Sequence, residues 1–268
     1  MVIAGYIAAL LIGLSLGLIG GGGSILTVPI LVYLFDVSPV LATSYSLFIV
    51  GITSFAGSIA NLANKTVDVK TVLIFGTLSV LTVFCIRHYV IPHLPQSLYV
   101  GSYAVPVSLI TMLLFAVLMI SSSFSMIKTG SKPAGDGTPR AGLLKISLYG
   151  IGIGLVTGLL GAGGGFLLIP ALILLLRLEV KTAIGTSLVI ITINSLAGFA
   201  DDITHHVMDW NLLLKLTGIA VVGVLAGAVI GKKMKGSILK RGFGWFVLLI
   251  GIYIVVRELA VYFKITGK

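Results

Sequence analysis

The sequence predicts an all-α integral membrane protein built from two homologous repeats, and three observations carry that prediction. Of 268 residues, 57% are hydrophobic and only 10% charged, with mean hydropathy +1.17. A soluble globular domain carries about 25% charged residues. Apolar windows of about 20 residues, the length that crosses a bilayer as a helix, recur along the whole chain. Finally, a glycine-rich block, GLSLGLIGGGGSILTVPIL from Gly13 to Leu31, returns as GLVTGLLGAGGGFLLIPAL from Gly154 to Leu172.

In chain order the apolar segments are 2–19, 24–35, 37–62, 69–91, 97–127, 142–160, 165–178, 180–200, 210–231 and 242–263. The opening MVIAGYIAALLIG has neither a basic n-region nor a small-residue cleavage site, so it reads as a first span rather than a removable signal. Segments 24–35 and 165–178 rise only about 18–21 Å as helices and are too short to span alone. KTGSKPAGDGTPRA, residues 128–141, is the polar linker. It divides the chain into an N-terminal membrane repeat (1–127) and a C-terminal one (142–268).

One ungapped shift, the one that lays Gly13 on Gly154, superimposes the halves. Gly17, Gly20 and Gly22-Gly23 then fall on Gly158, Gly161 and Gly163-Gly164, and Pro29 falls on Pro170. Ser46-Leu47, Ser54 and Ala56-Gly57 match Ser187-Leu188, Ser195 and Ala197-Gly198, while Asp68 matches Asp209. Between Gly13 and Gly57, 19 of 45 positions are identical. Shared apolar composition does not supply matched Gly, Pro, Ser and Asp, so the chain is an internal duplication, a common plan of transporter folds.

Two threadings are open. If each broken segment is a single crossing, the repeats are parallel and Lys and Arg divide about evenly between the faces. If each turns back at its glycines as a re-entrant hairpin, the repeats are inverted. The linker and the cluster Lys232, Lys233, Lys235, Lys240 and Arg241 then share a face with Lys65, Lys70, Arg177 and Lys181. That face holds 13 of the 18 basic residues, leaving Arg87, Lys215, Arg257, Lys264 and Lys268 opposite. The positive-inside bias favours the inverted arrangement. It also accounts for the net charge of +10 without nucleic acid as a partner; the surroundings of this chain are the lipid bilayer.

Asp68 and Asp209 stand as N-caps before the spans from Val69 and Trp210. Gly223, Gly227 and Gly231 form a small-residue row suited to close helix packing, as do Gly13/Gly17 and Gly154/Gly158. The lone Cys85 excludes an intramolecular disulfide and reads as a small apolar residue in a helix.

The glycine runs are where binding chemistry is expected. Each interior glycine costs a helix about 1 kcal/mol relative to alanine. Non-helical backbone at membrane depth survives only inside protein or beside a polar cavity. A helix that restarts after Gly20, Gly21, Gly22, Gly23 and Ser24, and again after Gly161, Gly163, Gly164 and Gly165, exposes unpaired N–H groups carrying partial positive charge. No side chain there would hold an oxyanion off. Close helix packing is the competing explanation of the same glycines. Pro29 and Pro170 fall within the restarted segments and limit or kink them. Small polar residues follow each block: Thr43, Ser44, Ser46, Thr53 and Ser54 in the first repeat, Thr186, Ser187, Asn194 and Ser195 in the second. Ser46 and Ser54, like Ser187 and Ser195, are eight residues apart and share a helix face. Each hydroxyl alone more often bonds its own backbone than a ligand; repetition suggests that the pairs complete an anion's hydrogen-bond shell. No Lys or Arg is mid-span in these segments. Asp201, Asp202 and His205 are candidate proton-coupling groups, with a solvated helix end as the alternative. His205 and His206 are adjacent, a poor spacing for metal, so no metal and no cofactor is expected. GLIGGGG lacks the strand–turn–helix setting of a dinucleotide fingerprint and the Gly-Lys-Ser/Thr ending of a P-loop. No catalytic constellation is visible, and an enzyme is the least supported class.

These motifs resemble the TauE/SafE family of sulfite exporters and related membrane proteins over nearly the whole chain. The resemblance rests on G-x-x-x-G-x-x-G-x-G-G-G-x-x-x-x-P at Gly13–Pro29 and Gly154–Pro170. It rests also on Gly185-Thr186-Ser187-Leu188 with Asn194-Ser195 and Gly198, and on Val67-Asp68 and Asp209-Trp210. The first repeat departs slightly, with Tyr45-Ser46-Leu47 in place of Thr186-Ser187-Leu188. The resemblance implies a multi-pass permease of the prokaryotic cytoplasmic membrane that moves small sulfur-containing anions such as sulfite or organosulfonates. It leaves the particular anion, the direction and the coupling open. A passive anion channel and a non-transporting membrane scaffold are the alternatives, and the oligomeric state is not legible.

Overall fold

The computed structural model describes residues 2–95, 97–100, 103–128, 142–205, 207–231 and 236–266. All of the linker except Lys128, together with His206, Lys232, Lys233 and Lys235, lies outside them. The architecture is helical: α1 (Val2–Ile19), α2 (Thr27–Phe35), α3 (Pro39–Ala63), α4 (Val69–His93) and α5 (Val107–Lys128) precede the linker. After it come α6 (Leu143–Leu160), α7 (Gly165–Leu176), α8 (Val180–His205), α9 (Trp210–Gly231) and α10 (Gly236–Thr266). Among the described residues α3, α4, α5, α8, α9 and the Arg241–Tyr262 portion of α10 are long and apolar enough to cross a membrane. The chain is an all-α integral membrane protein. One departure from the expected helices is a short antiparallel hairpin, β1 (Ser97–Val100) and β2 (Tyr103–Pro106), in what reads as the start of a single apolar segment, 97–127.

Contacts between the halves come in exchanged pairs. Gly13 packs on the Ala220 backbone and Gly17 on Val224; at the equivalent positions of the second repeat, Gly154 packs on Ser79 and Gly158 on Val83. Gly57 meets Leu188 and Val224, and Gly198 meets Leu47 and Val83. The Asp68 N–H donates to Thr186 Oγ1 (2.9 Å) and the Asp209 N–H to Tyr45 Oη (2.5 Å), again the same bond with the halves swapped. Both short helices end on a left-handed residue at equivalent positions, Asp36 and Arg177. A relation that exchanges the halves in this way is a twofold rotation.

The direction of the helices follows from which residues face each other. Gly13 opposite Ala220 and Leu18 opposite Gly231 make α1 and α9 parallel, and Gly150, Gly154 and Gly158 opposite Phe75, Ser79 and Ile86 make α6 and α4 parallel. Leu47 opposite Gly198 and Gly57 opposite Leu188 make the equivalent helices α3 and α8 antiparallel. Likewise α5 and α10 are antiparallel, through Met126–Gly244 and Met119–Gly251. Equivalent spans that oppose each other belong to inverted repeats. Within the first half the chain turns back at its glycines, because Gly23 touches Ile12 and Leu16 while Gly5 touches Phe35. Segment α2 therefore returns along α1, and in the second half α7 returns along α6, with Gly164 against Thr157 and Ile153.

Lipid supplies no hydrophobic force between helices, so these seams rest on close backbone approach. The glycine rows of α1 and α9 interlock, Gly223 and Gly227 meeting Gly13 and Gly17. Asp68 caps α4 as its sequence position predicts, accepting from the Lys70 N–H (3.2 Å) and the Thr71 hydroxyl (2.7 Å), and Asp209 accepts from the Leu212 N–H (3.1 Å). At the outer end of α2, Tyr33 donates to Glu258 of α10 (2.7 Å) beneath the Arg257 guanidinium. The centre is the α3–α8 pair: 67% of the spanning window of α8 is buried, against 22% of that of α10.

Candidate functional site

The two hairpin tips meet at the middle of the α3–α8 pair. A Cβ on Gly165 would lie 2.7 Å from the Gly21 carbonyl oxygen, so the two broken backbones touch where neither has a side chain. Gly163 lies against Val50 of α3 and Ile191 and Ser195 of α8. The second tip turns through three left-handed residues, Gly161, Gly163 and Gly164 (φ +67°, +64° and +68°), a conformation that an L side chain resists. From it α7 starts directly at Gly165, with no side-chain cap, and runs on through Pro170. The first tip is built differently. After Gly20 (φ +83°), a tight 3₁₀ turn, Gly22–Leu26, leads into α2, again without a side-chain cap. The two tips are thus related in position but not in conformation, a correction to the expectation of two alike helix starts.

Packing accounts for part of the glycine set. Gly20 fits against Ile184, Gly161 against Thr43, Gly23 against Ser15 and the α1 backbone, and Gly21 and Gly165 against each other. Gly163 completes its turn and brings bare backbone to the Ser195 hydroxyl.

The polar residues divide sharply. Thr43, Thr53 and Ser187 bond the backbone of their own helix, at 2.7, 2.6 and 2.8 Å, as such residues do in apolar helices. Ser24 closes on Gly21 O (2.9 Å), and Thr186 is occupied as the acceptor for Asp68. By contrast, Ser46, Ser54 and Ser195 are fully buried, and their hydroxyls have no partner among the described residues. The Asn194 amide gives its NH₂ to Ser79 Oγ (2.6 Å) and leaves its carbonyl oxygen unpaired. A half-turn of that amide exchanges the roles, the Ser79 hydroxyl donating and the NH₂ facing inward. Thr157 Oγ1, beside Gly164, is also unpartnered. A buried polar group left unsatisfied costs about 1–3 kcal/mol. Two such groups, Ser195 beside Gly163 and Thr157 beside Gly164, lie at the second hairpin tip.

Ser79 and Thr157 carry no sequence signal of the kind used above, since their counterparts in the other repeat are Ala220 and Leu16. Neither does Arg87, which belongs by sequence among the surface cations. It is instead completely buried on α4, with Nη1 2.8 Å from Asp202 Oδ2 and 3.4 Å from Ser44 Oγ. It lies in a π turn, Ile86–Val90, a widened turn that is frequent at functional sites. The next residue, His88, reaches Asp201 Oδ1 (2.8 Å), and His205 Nδ1 approaches the Asp201 carbonyl oxygen (3.0 Å). The acids at the end of α8 are therefore buried partners of α4, not a solvated helix end: Asp202 is 2% exposed and Asp201 9%.

Two glycine-tipped hairpins that enter a bundle of spanning helices and meet at their tips define a multi-pass membrane protein. Residues 6–254 match the family described as sulfite exporter TauE/SafE, and the chain belongs to it. A probable membrane transporter protein of Xylella fastidiosa is 30% identical over 256 residues, 93% of each chain. The probable membrane transporter protein YunE of Bacillus subtilis is 28% identical over 267 residues, 93% of this chain and 97% of its own. One from Methanocaldococcus jannaschii is 25% identical over 236 residues, 86% of this chain and 81% of its own. No solved structure matches the chain.

Proposed function

We propose that this transporter is a secondary permease for small sulfur-containing oxyanions, sulfite or organosulfonates, in the cytoplasmic membrane of a prokaryote. The observation that carries the reading is the buried Ser195 hydroxyl, without a partner among the described residues, beside Gly163 where the tips bring bare backbone together; Ser46 and Ser54 of α3 are likewise buried and unpartnered. An oxyanion accepts hydrogen bonds and donates none, so it suits hydroxyl donors and the partial positive charge of the α7 start. Sulfur oxyanions as the class come from the family's description, not from these distances. Holding the anion by dipoles rather than by a full positive charge keeps binding shallow enough for release. Asn194 and Thr157 extend the donor set; Ser24, Thr186 and Ser187 support the backbone that surrounds it. The basic face with Lys65, Lys70, Arg177 and Lys181 is the cytoplasmic one. Asp201, Asp202 and His205 remain the candidates for coupling to protons.

The experiment is thermal unfolding of the purified full-length protein against sulfite, thiosulfate, taurine, sulfoacetate and sulfate, followed by flux of the stabilising anion in proteoliposomes. Stabilisation by one or more of the first four, with flux that saturates and follows a proton gradient, supports the reading. Flux that never saturates makes the protein a channel, and the absence of both stabilisation and flux removes the anion site.

A further inference from the structure

The twofold exchange that pairs so many contacts fails at a buried charge. Arg87 on α4 and Asp202 on α8 have as counterparts Ala228 on α9 and Asn61 on α3. Asn61 merely bonds Gly57 O of its own helix (2.9 Å). One half of the bundle, the half toward Asp209 and the β-hairpin, thus contains a buried ion pair that has no counterpart among the described residues of the other half.

The pair is incomplete in a specific way. Asp202 holds Arg87 through a single nitrogen, Nη1. The other two nitrogens, Nε and Nη2, are fully buried without a partner among the described residues. These two form the side edge of the guanidinium, where two parallel N–H groups match the spacing of two oxygens on one carboxylate, sulfite or sulfonate. A buried charge left so far unsatisfied is costly, and Arg87 could have been spared it by a second carboxylate or a backbone carbonyl. Neither is there. The π turn around Arg87 holds the residue in place, and the Arg87 side chain runs past Gly198, 3.7 Å from where a Cβ would be.

The edge lies near the central site along α8. Ser195, Gly198 and Asp202 are three and four residues apart along one face of that helix. Ser195 and Asp202 are two turns apart, a rise of about 10 Å. From α3, Ser44 accepts from Arg87 Nη1.

We propose that the Nε–Nη2 edge of Arg87 is a second binding station for the transported oxyanion, one step from the hydroxyl site and on one side of the bundle only. Asp202 is its counter-ion and fixes its orientation. The remaining ionisable groups around it are Asp201 and His205 on α8 and His88 on α4, and none reaches that edge. By the distribution of Lys and Arg, the station faces away from the cytoplasm, so the two mouths of the path differ in chemistry although the helices around them are related by symmetry. The inference rests on the proposed central site only for the anion's identity.

The test compares three full-length variants with the native protein by sulfite titration (intrinsic fluorescence or calorimetry) and sulfite flux in proteoliposomes. Arg87→Lys keeps the charge and the ion pair but has no side edge. It is expected to weaken sulfite binding about tenfold or more, the worth of one charged hydrogen bond. Arg87→Gln with Asp202→Asn removes both charges together, avoiding an unpaired buried ion, and is expected to lose affinity to the same degree while remaining folded. Ser195→Ala reports on the central site. If both Arg87 variants bind and carry sulfite like the native protein while Ser195→Ala does not, the pair is a structural brace and the proposal is overturned, with the central site left standing. If the Arg87 variants fail and Ser195→Ala is unaffected, the station stands and the central hydroxyl site falls. Should Arg87→Lys fail to fold, the doubly neutral variant decides alone.

Discussion

Replacing Ser195 by alanine should move stability and affinity in opposite directions. Its hydroxyl is fully buried, 3.3 Å from the position a Cβ would take on Gly163, and without a partner among the described residues. In the empty protein that group carries a desolvation cost with nothing to offset it, so deleting it should stabilise the fold by about 1–3 kcal/mol. In the loaded protein the same deletion removes a hydroxyl donor to an anion, worth about 1.5–3 kcal/mol, or roughly a tenfold to hundredfold loss of affinity. The assay is thermal unfolding of Ser195→Ala and native protein at increasing sulfite. The empty variant should melt a few degrees higher and gain far less from the ligand. A variant that melts lower when empty and gains as much from sulfite as the native protein would refute the reasoning, because the hydroxyl would then be a structural partner.

Other predictions concern the frame around the site. Thr186→Val should leave the Asp68 N–H without its acceptor and cost about 1–3 kcal/mol in denaturation experiments, and Tyr45→Phe should cost a similar amount at the equivalent bond. Gly13→Leu should split the α1–α9 seam, where a side chain meets the Ala220 backbone; overpacking of this kind costs about 1–3 kcal/mol or more, read as lost yield of folded protein. With Cys85 replaced by serine, a cysteine at Lys70 and one at Glu179 should react with an impermeant thiol reagent from the same side of the membrane and one at Val207 from the other. Labelling of 70 and 179 from opposite sides would break the hairpin threading.

What the sequence makes legible here is what the duplication repeats. The glycine blocks with their Gly13/Gly17 and Gly154/Gly158 pairs, and the capping acids Asp68 and Asp209, have counterparts in the other repeat and serve contacts that the twofold relation doubles; the Gly223, Gly227 and Gly231 row does not, standing against Thr82, Ile86 and Val90. The hairpins are also foreshadowed, since segments as short as 24–35 and 165–178 cannot span. The groups that break the symmetry have no such echo. Arg87 stands against Ala228, Thr157 against Leu16 and Ser79 against Ala220. Their importance comes from which helix face the α4 π turns and the α6–α4 seam direct inward, a matter of packing rather than of pattern. Equally, nothing in the residue types distinguishes Ser46 and Ser195 from Ser187; whether a hydroxyl bonds its own helix depends on its rotamer. The β-hairpin at 97–106 did leave a signal, two β-branched and aromatic tetrads around Gly101-Ser102, but apolar length masked it.

The glycine seams also set a constraint on how the protein is made. The helix that α1 must lock against, α9, is synthesised about 200 residues later, a wait of roughly 10–40 s at ordinary elongation rates. During that interval the glycine face of α1 sits in the bilayer without its mate, while α6 finds α4 already waiting. The first hairpin is therefore secured only after the whole second hairpin is in place. The N-terminal half, released early, holds one half of each seam and completes neither, so truncation at the linker leaves a chain for the membrane proteases rather than half a transporter.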